Sequence, residues 1–270
     1  MSNILLIDDT NGVRTLTLNR PERKNAITPE LRDELLAALQ EARENDEIRC
    51  VVITGAGDAF CSGVELGRSG VTKDASAGEK RAPDLRQVKE AMKRGMQRVV
   101  TTIWELDKPV IASLNGTAAG GGAQLALFCD LVIAAESARI IEIFAKRGLA
   151  VDSGGGWILP RLVGLAKAKE LVFFAEPLGA RDALDAGLIN KVVPDGELQS
   201  ATREWAERLA SSATRALGFS QRLLNQAVLT DLAAALDEEA SLQALNSTSE
   251  DFKEGVRAFA EKRAPEFKGR

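Results

Sequence analysis

The stretch that decides the fold spans residues 109–130 and reads PVIASLNGTAAGGGAQLALFCD. Its apolar run at 110–114 has the length of a buried strand, and Asn115-Gly116 ends that run. Three consecutive glycines at 120–122 then precede a periodic run of Ala, Leu and Phe. The stretch therefore predicts a strand, a turn and the start of a helix. Glycines at such a junction serve either close packing of helix on strand or binding of an anion at the helix N-terminus, and this stretch alone leaves both open.

Strands and helices alternate on both sides of this stretch. Apolar runs predict strands at 4–7, 13–18, 50–53 and 131–134, and helical spacing predicts helices from Thr28 onward and over 83–106. This alternation is typical of an α/β fold with parallel strand pairing. After Pro194 the pattern changes to helices only, so we expect an α/β core at 1–194 and a helical region at 195–270.

Local signals refine this outline. Asn11-Gly12 predicts a hairpin between the first two strands, and Thr28 followed by Pro29 predicts a capped helix start. Residues 59–66 have no clear period and are interpreted as an irregular apolar turn. Residues 68–82 are polar and rich in Gly, Lys and Ser, which predicts a mobile loop.

Composition excludes several kinds of site. The chain has no histidine, so it has no Ser-His-Asp or Cys-His arrangement and no histidine-ligated zinc. A formal net charge of −4 argues against nucleic acid as a partner. Its three cysteines form no CxxC pair, and no uncharged apolar run is long enough for a membrane span. We therefore expect a cytoplasmic protein with no membrane, nucleic-acid, metal or redox-cofactor partner.

A second glycine-rich stretch spans residues 145–162 and reads AKRGLAVDSGGGWILPRL. Ser153 is a candidate N-cap for a helix that begins at the following three glycines. Asp152 lies immediately before it. An aspartate at a helix start either caps the helix or performs chemistry, and the local pattern does not separate the two roles.

Five motifs, in order along nearly the whole chain, resemble the crotonase superfamily, which comprises the enoyl-CoA hydratases and isomerases. They are Asn19-Arg20-Pro21 with Asn25-Ala26, Ala59-Phe60-Cys61-Ser62-Gly63, Asn115-Gly116 with the glycines at 120–122, Leu159-Pro160-Arg161-Leu162, and Glu254-Gly255 with Ala258-Phe259 and Glu261-Lys262-Arg263. The resemblance implies a spiral of ββα units with a helical C-terminal trimerisation region, assembled as a homotrimer or hexamer.

The resemblance also implies an acyl-CoA thioester as the ligand, with coenzyme A entering as part of the substrate. Its thioester oxygen would lie between the backbone N–H groups of Val64 and Gly121, which form an oxyanion hole. Such fixed donors stabilise the negative charge of a thioester enolate. Further contacts to coenzyme A are implied for Lys24, Ala26, Ala59 and Ser62, and for Phe259 and Lys262 of a neighbouring subunit.

The chain departs from the hydratase pattern at both catalytic glutamates. The two matching positions hold Gln124 and Phe144, neither of which accepts a proton, so the usual addition of water is in doubt. Some members of the superfamily use a carboxylate at the position of Asp152 instead. Its apolar sequence neighbours, with Trp157 among them, favour a raised pKa and a role as general base. We expect Gln124, Phe144 and Trp157 to contribute to substrate binding.

Two other carboxylates compete with Asp152. Glu65 follows an oxyanion-hole residue and is interpreted as structural, and Glu142 is interpreted as a surface charge. The favoured hypothesis is an isomerase that shifts a double bond of an enoyl-CoA through an enolate, with Asp152 as the base. The alternatives are a hydratase with a non-standard acid–base pair and a non-catalytic acyl-CoA-binding homologue.

Overall fold

The structure is a computed structural model that describes residues 3–65 and 84–270. The loop expected at 68–82 lies outside these residues. The ten strands are β1 Leu5–Thr10, β2 Val13–Leu18, β3 Cys50–Gly55, β4 Ala59–Cys61, β5 Val110–Leu114, β6 Thr117–Ala119, β7 Leu131–Ala135, β8 Arg139–Ile141, β9 Leu178–Gly179 and β10 Lys191–Val193. The helices are α1 Pro29–Glu44, α2 Leu85–Arg94, α3 Met96–Trp104, α4 Gly121–Leu127, α5 Gly155–Phe174, α6 Ala180–Asp185, α7 Leu198–Ala210, α8 Thr214–Ala227, α9 Leu232–Asn246 and α10 Glu250–Glu261.

The strands form two sheets. The larger has the order β1-β2-β3-β5-β7-β10, and every pair in it is parallel except the β1-β2 hairpin. The smaller has the order β4-β6-β8-β9, in which only β8 and β9 pair antiparallel. Two consecutive units show the same order. In the first, β5 lies in the larger sheet, β6 in the smaller sheet, and α4 follows. In the second, β7 lies in the larger sheet, β8 in the smaller sheet, and α5 follows. The expected succession of ββα units is confirmed.

The local signals near the N-terminus are also confirmed. Asn11 and Gly12 both have positive φ between the antiparallel strands, as a tight hairpin requires. The Thr28 side chain accepts the N–H of Leu31 and so caps α1. The apolar face of this helix is buried against the larger sheet with Leu16 and Leu18.

Two element predictions are wrong. Residues 59–61 form strand β4 rather than part of an irregular turn, because this short run pairs with β6 in the smaller sheet. The helix expected over 83–106 is two helices that meet at Gly95, whose backbone angles are φ −85° and ψ −132°. A Cβ at Gly95 would lie 2.8 Å from the carbonyl oxygen of Ala91, so this break requires glycine.

The C-terminal part is helical, as expected, apart from a short 3-10 turn at its start. Helix α7 packs on the larger sheet, where Ala201 and Ala206 share a buried cluster with Val52 and Ile111. The division at residue 194 stays a prediction. Within the described ranges, no helix is both long and apolar enough to cross a membrane.

Candidate active site

Gly63 brings the segment after β4 against the start of α4. It has a φ of +97°, and a Cβ there would lie 2.9 Å from the Ala119 carbonyl oxygen and 3.3 Å from the Gly121 nitrogen. The carbonyl of Gly63 accepts the N–H of Ile27 at 2.8 Å, which fixes the peptide that leads into Val64. The N–H of Val64 donates to no acceptor among the described residues.

The three glycines at 120–122 allow close packing at the start of α4, and anion binding there stays a prediction. Gly120 adopts a φ of +51° that ends β6, and Gly121 begins α4 with an N–H that has no intrahelical partner. A Cβ at Gly122 would lie 2.3 Å from the carbonyl oxygen of Cys61, so this glycine allows α4 to pack on β4. The structure therefore brings the two expected oxyanion donors, Val64 and Gly121, close together.

Asp152 lies in the turn before α5 and is half-buried. Ser153 Oγ donates a hydrogen bond to Asp152 Oδ1 at 2.7 Å. The N-cap of α5 is Gly154, which has no side chain, so the prediction of Ser153 as the N-cap is wrong. Ser153 has a φ of +51°, outside the extended region typical of an N-cap, and its hydroxyl donates to Asp152 instead. The Asp152 carboxylate accepts no backbone N–H from the described residues, so it does not cap the helix either.

The base candidate and the oxyanion donors meet at Ser153. A Cβ at Gly121 would lie 3.4 Å from Val64 Cγ2 and 3.6 Å from Ser153 Oγ. Burial raises the pKa of Asp152 above its ordinary value, and the hydrogen bond from Ser153 opposes this rise. A carboxylate with a raised pKa beside two free N–H groups can remove a proton from a carbon next to a carbonyl group.

Aromatic rings form one side of this turn. Trp157 stacks on Phe128 with the ring centroids 6.1 Å apart and meets Trp104 edge to face at 5.0 Å. The guanidinium of Arg161 lies 4.1 Å from the centre of the Trp157 ring. A Cβ at Gly154 would lie 2.5 Å from the Phe128 ring, so the glycine lets the Asp152 turn approach it. The role of Trp157 in substrate binding stays a prediction.

The two positions that hold glutamate in hydratases are both buried here. Gln124 is 0% exposed and Phe144 is 4% exposed. Gln124 Nε2 lies 2.7 and 3.0 Å from the two carboxylate oxygens of Glu142. Glu142 is only 2% exposed, so the prediction that it is a surface charge is wrong. The sequence carried a signal for this, because strand alternation puts Glu142 on the same face as buried Ile140.

Glu65 has the structural role expected of it. Its Oε2 lies 3.1 Å from Arg20 Nη2, and Arg20 also donates to the carbonyl of Ala26 at 2.5 Å. This ion pair links the segment after β4 to the turn before α1. Glu65 therefore stabilises the backbone around the site through Arg20.

Four of the residues expected to contact coenzyme A lie in two adjoining segments. The N–H of Ser62 donates to the Lys24 carbonyl at 2.9 Å, and the side chain of Asn25 donates to the Ala59 carbonyl at 2.8 Å. Ala26 is buried beside them, whereas the Lys24 side chain is exposed and lies 3.6 Å from Asp58. The side chain of Asn25, which is 0% exposed, joins the two segments, and the sequence analysis did not predict this role.

The two tail residues are on a different element. Phe259 lies on α10 and is 88% exposed, and Lys262 ends this helix with a φ of +55°. No hydrogen bond or ion pair within the described part of the chain joins either of them to the segments that carry Lys24 and Ser62. Their contribution to a neighbouring subunit stays a prediction.

A model of the enoyl-CoA hydratase/isomerase family matches residues 8–270. The chain belongs to this family. Members of the enoyl-CoA hydratase/isomerase family act on acyl-CoA thioesters. The resemblance found in the sequence motifs is thereby confirmed.

Individual relatives in the family carry different names. The chain is 40% identical to 1,2-epoxyphenylacetyl-CoA isomerase of Escherichia coli over 270 residues, which cover 100% of both chains. It is 41% identical to the "Probable enoyl-CoA hydratase" of Rhodobacter capsulatus over 97% of this chain and 96% of that one. Among solved structures, an enoyl-CoA hydratase from Bacillus anthracis superposes with a TM-score of 0.87 at 33% identity, covering 99% and 100% of the two chains. These likenesses confirm the crotonase fold with its helical C-terminal region.

Proposed function

We propose that the protein is an enoyl-CoA isomerase that moves a β,γ double bond into conjugation with the thioester. The single observation that carries the proposal is the state of Asp152. Its carboxylate is half-buried, accepts a hydrogen bond from Ser153, caps no helix and forms no ion pair with the described residues. A carboxylate that neither caps a helix nor pairs with a cation among the described residues, and that lies near the N–H groups of Val64 and Gly121, is suited to proton transfer.

The reaction needs one base and one anion site. Asp152 takes the proton from the α-carbon, and the electron pair of the broken C–H bond moves towards the thioester, whose oxygen becomes negative. The N–H groups of Val64 and Gly121 donate to this oxygen, and each such donor lowers the barrier by about 3–4 kcal/mol in other enzymes. The protonated Asp152 then returns its proton to the γ-carbon, and the double bond forms between the α- and β-carbons.

Two further facts favour isomerisation over hydration. Gln124 and Phe144 replace the pair of glutamates that would activate water. In addition, the Escherichia coli relative with 40% identity is named as an isomerase of a coenzyme A thioester. A hydratase with a non-standard pair is the second candidate, because buried Glu142 and Asp152 interact electrostatically.

An assay with two substrates tests this proposal. A β,γ-unsaturated acyl-CoA should be converted to its conjugated isomer, which absorbs in the ultraviolet, and an α,β-unsaturated acyl-CoA should gain no water. Addition of water to the second substrate would favour the hydratase instead. Binding of both with no conversion would leave a non-catalytic acyl-CoA-binding protein.

We also propose that the protein assembles as a homotrimer or hexamer in which α10 of one subunit completes the coenzyme A site of the next. Support comes from large apolar side chains exposed near the end of α8 and the start of α9, namely Leu224, Leu229 and Leu232. Phe259→Ala with Lys262→Asn should weaken binding of coenzyme A and leave the fold intact, since asparagine accepts the positive φ at 262. Lys253→Ala on the exposed side of α10 is the control. The cytoplasmic location stays a prediction.

A further inference from the structure

Glu142 is a buried carboxyl group that pairs with no cation among the residues that the structure describes. It follows strand β8, and its partner is the amide of Gln124, one turn after Gly121 on α4. Neither Glu142 nor Asp152 forms an ion pair with a described residue. Lys146, the lysine closest to Glu142 in sequence, instead lies 2.8 Å from exposed Glu176. Isolated buried carboxylates are costly, so such a group needs either a proton or a cation.

Gln124 connects this carboxyl group to the turn that carries Asp152. A Cβ at Gly155 would lie 2.8 Å from Gln124 Nε2, so the amide packs against Gly155. The N–H of Gly155 in turn donates to the carbonyl of Asp152 at 2.8 Å. The negative charge of Asp152 adds to the rise in the pKa of Glu142, of which burial is the larger cause. The hydroxyl of Ser153, which donates to Asp152 Oδ1, lies 3.6 Å from the position of a Cβ at Gly121, one turn before Gln124 on α4. Both carboxyl groups therefore lie beside the start of α4.

We propose that Glu142 and Asp152 form an acid–base dyad that holds a single proton in the resting site, with Gln124 fixing the position of Glu142. Two carboxyl groups in one partly buried site repel each other when both are ionised, so one keeps its proton to a higher pH. Asp152 is the group that ionises first, because it is only half-buried and accepts the hydroxyl of Ser153. Glu142 is then the group that carries the shared proton.

The electrostatics of Glu142 agree with this order. Burial raises the pKa of Glu142 to about 7, the hydrogen bond from Gln124 opposes the rise, and the negative charge of Asp152 adds to it. The Gln124 amide also fits a protonated partner. Its Oε1 is buried and has no donor among the described residues. A half-turn of the amide would let Oε1 accept the O–H of protonated Glu142.

The consequence for turnover rests on the proposed function. With the proton on Glu142, Asp152 is a carboxylate beside a neutral neighbour, which is the state that a base requires. When Asp152 takes the α-proton, its charge disappears and Glu142 becomes more acidic. The dyad then holds two protons, and delivery of one to the γ-carbon restores the resting state. Glu142 is on this account a positioning residue that acts through the charge of Asp152.

Carboxyl titration by nuclear magnetic resonance tests the dyad without any substrate. The protein is labelled with ¹³C at the side-chain carboxyl groups of Asp and Glu, and the signal lost in Glu142→Gln identifies Glu142. In the unsubstituted protein this signal should titrate at a pKa of about 7. Asp152→Asn keeps the shape of the side chain and removes its charge, so the pKa of Glu142 should fall below about 7, while the larger rise caused by burial remains. Asp185→Asn, at an exposed aspartate on α6, should leave it unchanged.

An unchanged Glu142 titration in folded Asp152→Asn would overturn the dyad. If Glu142→Gln does not fold, a sample labelled at glutamate alone identifies Glu142 as the carboxyl group that titrates near pH 7, because Asp130, whose pKa is also raised to about 7, then carries no label. The outcome is separable from that of the proposed function. Coupled titration with no conversion of the β,γ-unsaturated thioester would reject the isomerase and keep the dyad. Conversion of the β,γ-unsaturated thioester that depends on Asp152, together with a Glu142 titration that Asp152→Asn does not change, would keep the isomerase and reject the dyad.

Discussion

Ser153 Oγ donates a hydrogen bond to Asp152 Oδ1 at 2.7 Å, and the same hydroxyl faces the start of α4 at Gly121. One side chain therefore contacts both the proposed base and the helix start that carries a proposed oxyanion donor. Ser153 is itself buried and has a positive φ. The position of the base relative to the oxyanion donors depends on this residue.

Removing that hydroxyl should change the pH dependence of the reaction. Ser153→Ala deletes a donor to the ionised form of Asp152, so the pKa of Asp152 should rise further. Because the base must be ionised, the acid limb of kcat/KM against pH should move to higher pH. A hydrogen bond to a charged group is worth about 1.5–3 kcal/mol, which corresponds to a loss of roughly tenfold or more in kcat/KM on that limb.

The control for this experiment is Ser220→Ala, which removes an exposed hydroxyl of α8 that donates to the Ala216 carbonyl. It should leave the profile unchanged. An acid limb at the same pH in Ser153→Ala and in the unsubstituted protein would show that the hydroxyl does not act on the base.

The base itself is tested by Asp152→Asn. This change keeps the size of the side chain and removes the proton acceptor, so turnover should fall by about two to four orders of magnitude. Because the Asp152 side chain caps no helix, the melting temperature should change little. Asp152→Ala should likewise avoid the cost of about 1 kcal/mol that loss of an N-cap brings. Turnover of a β,γ-unsaturated acyl-CoA that survives in Asp152→Asn would end the mechanism proposed here.

The oxyanion hole is tested through Gly63. A methyl group at this position would press on the Ala119 carbonyl and the Gly121 nitrogen, and its φ of +97° disfavours other residues. Gly63→Ala should therefore separate the Val64 and Gly121 donors and lower kcat by about 10²–10³. Gly196→Ala is a matched control, since a Cβ there has no neighbour within 4 Å and meets no positive φ. Equal kcat values in the two folded variants would contradict the role given to Gly63.

Much of the fold could be predicted from the sequence because its signals are local. The apolar run at 110–114, the turn after it and the glycines at 120–122 define β5 and α4 through neighbours a few residues apart. Strands β4 and β6 were not predictable in this way. Each has three residues, which is too short for a period to show, and each exists because it pairs with the other in the smaller sheet.

The site was predictable where backbone geometry follows from residue type. Glycine at 63 and 122 allows close approach of neighbouring backbone, and the resemblance to a family supplies the roles of Val64 and Gly121. Ser153 and Glu142 were misinterpreted for physical reasons. Ser153 has a positive φ that its residue type does not predict, and Glu142 accepts its hydrogen bonds from Gln124, 18 residues earlier. The contact with Gln124 leaves no local pattern, and the alternation from Ile140 is the one local signal for the burial of Glu142.

Stability should depend on pH through Glu142. Its pKa is raised from an ordinary 4.5 to about 7 in the folded protein, so the unfolded chain releases this proton at lower pH. The protonated form therefore stabilises the fold fully below about pH 4.5, and this contribution is lost as the pH rises through 7. The loss is on the order of 3 kcal/mol.

Glu142→Gln stays neutral, so its free energy of unfolding relative to the unsubstituted protein should rise by this amount between pH 4.5 and pH 8. Urea unfolding at both pH values measures it, with exposed Glu197→Gln as the control. A difference between Glu142→Gln and the unsubstituted protein that is the same at both pH values would mean that Glu142 ionises alike in the folded and unfolded chains.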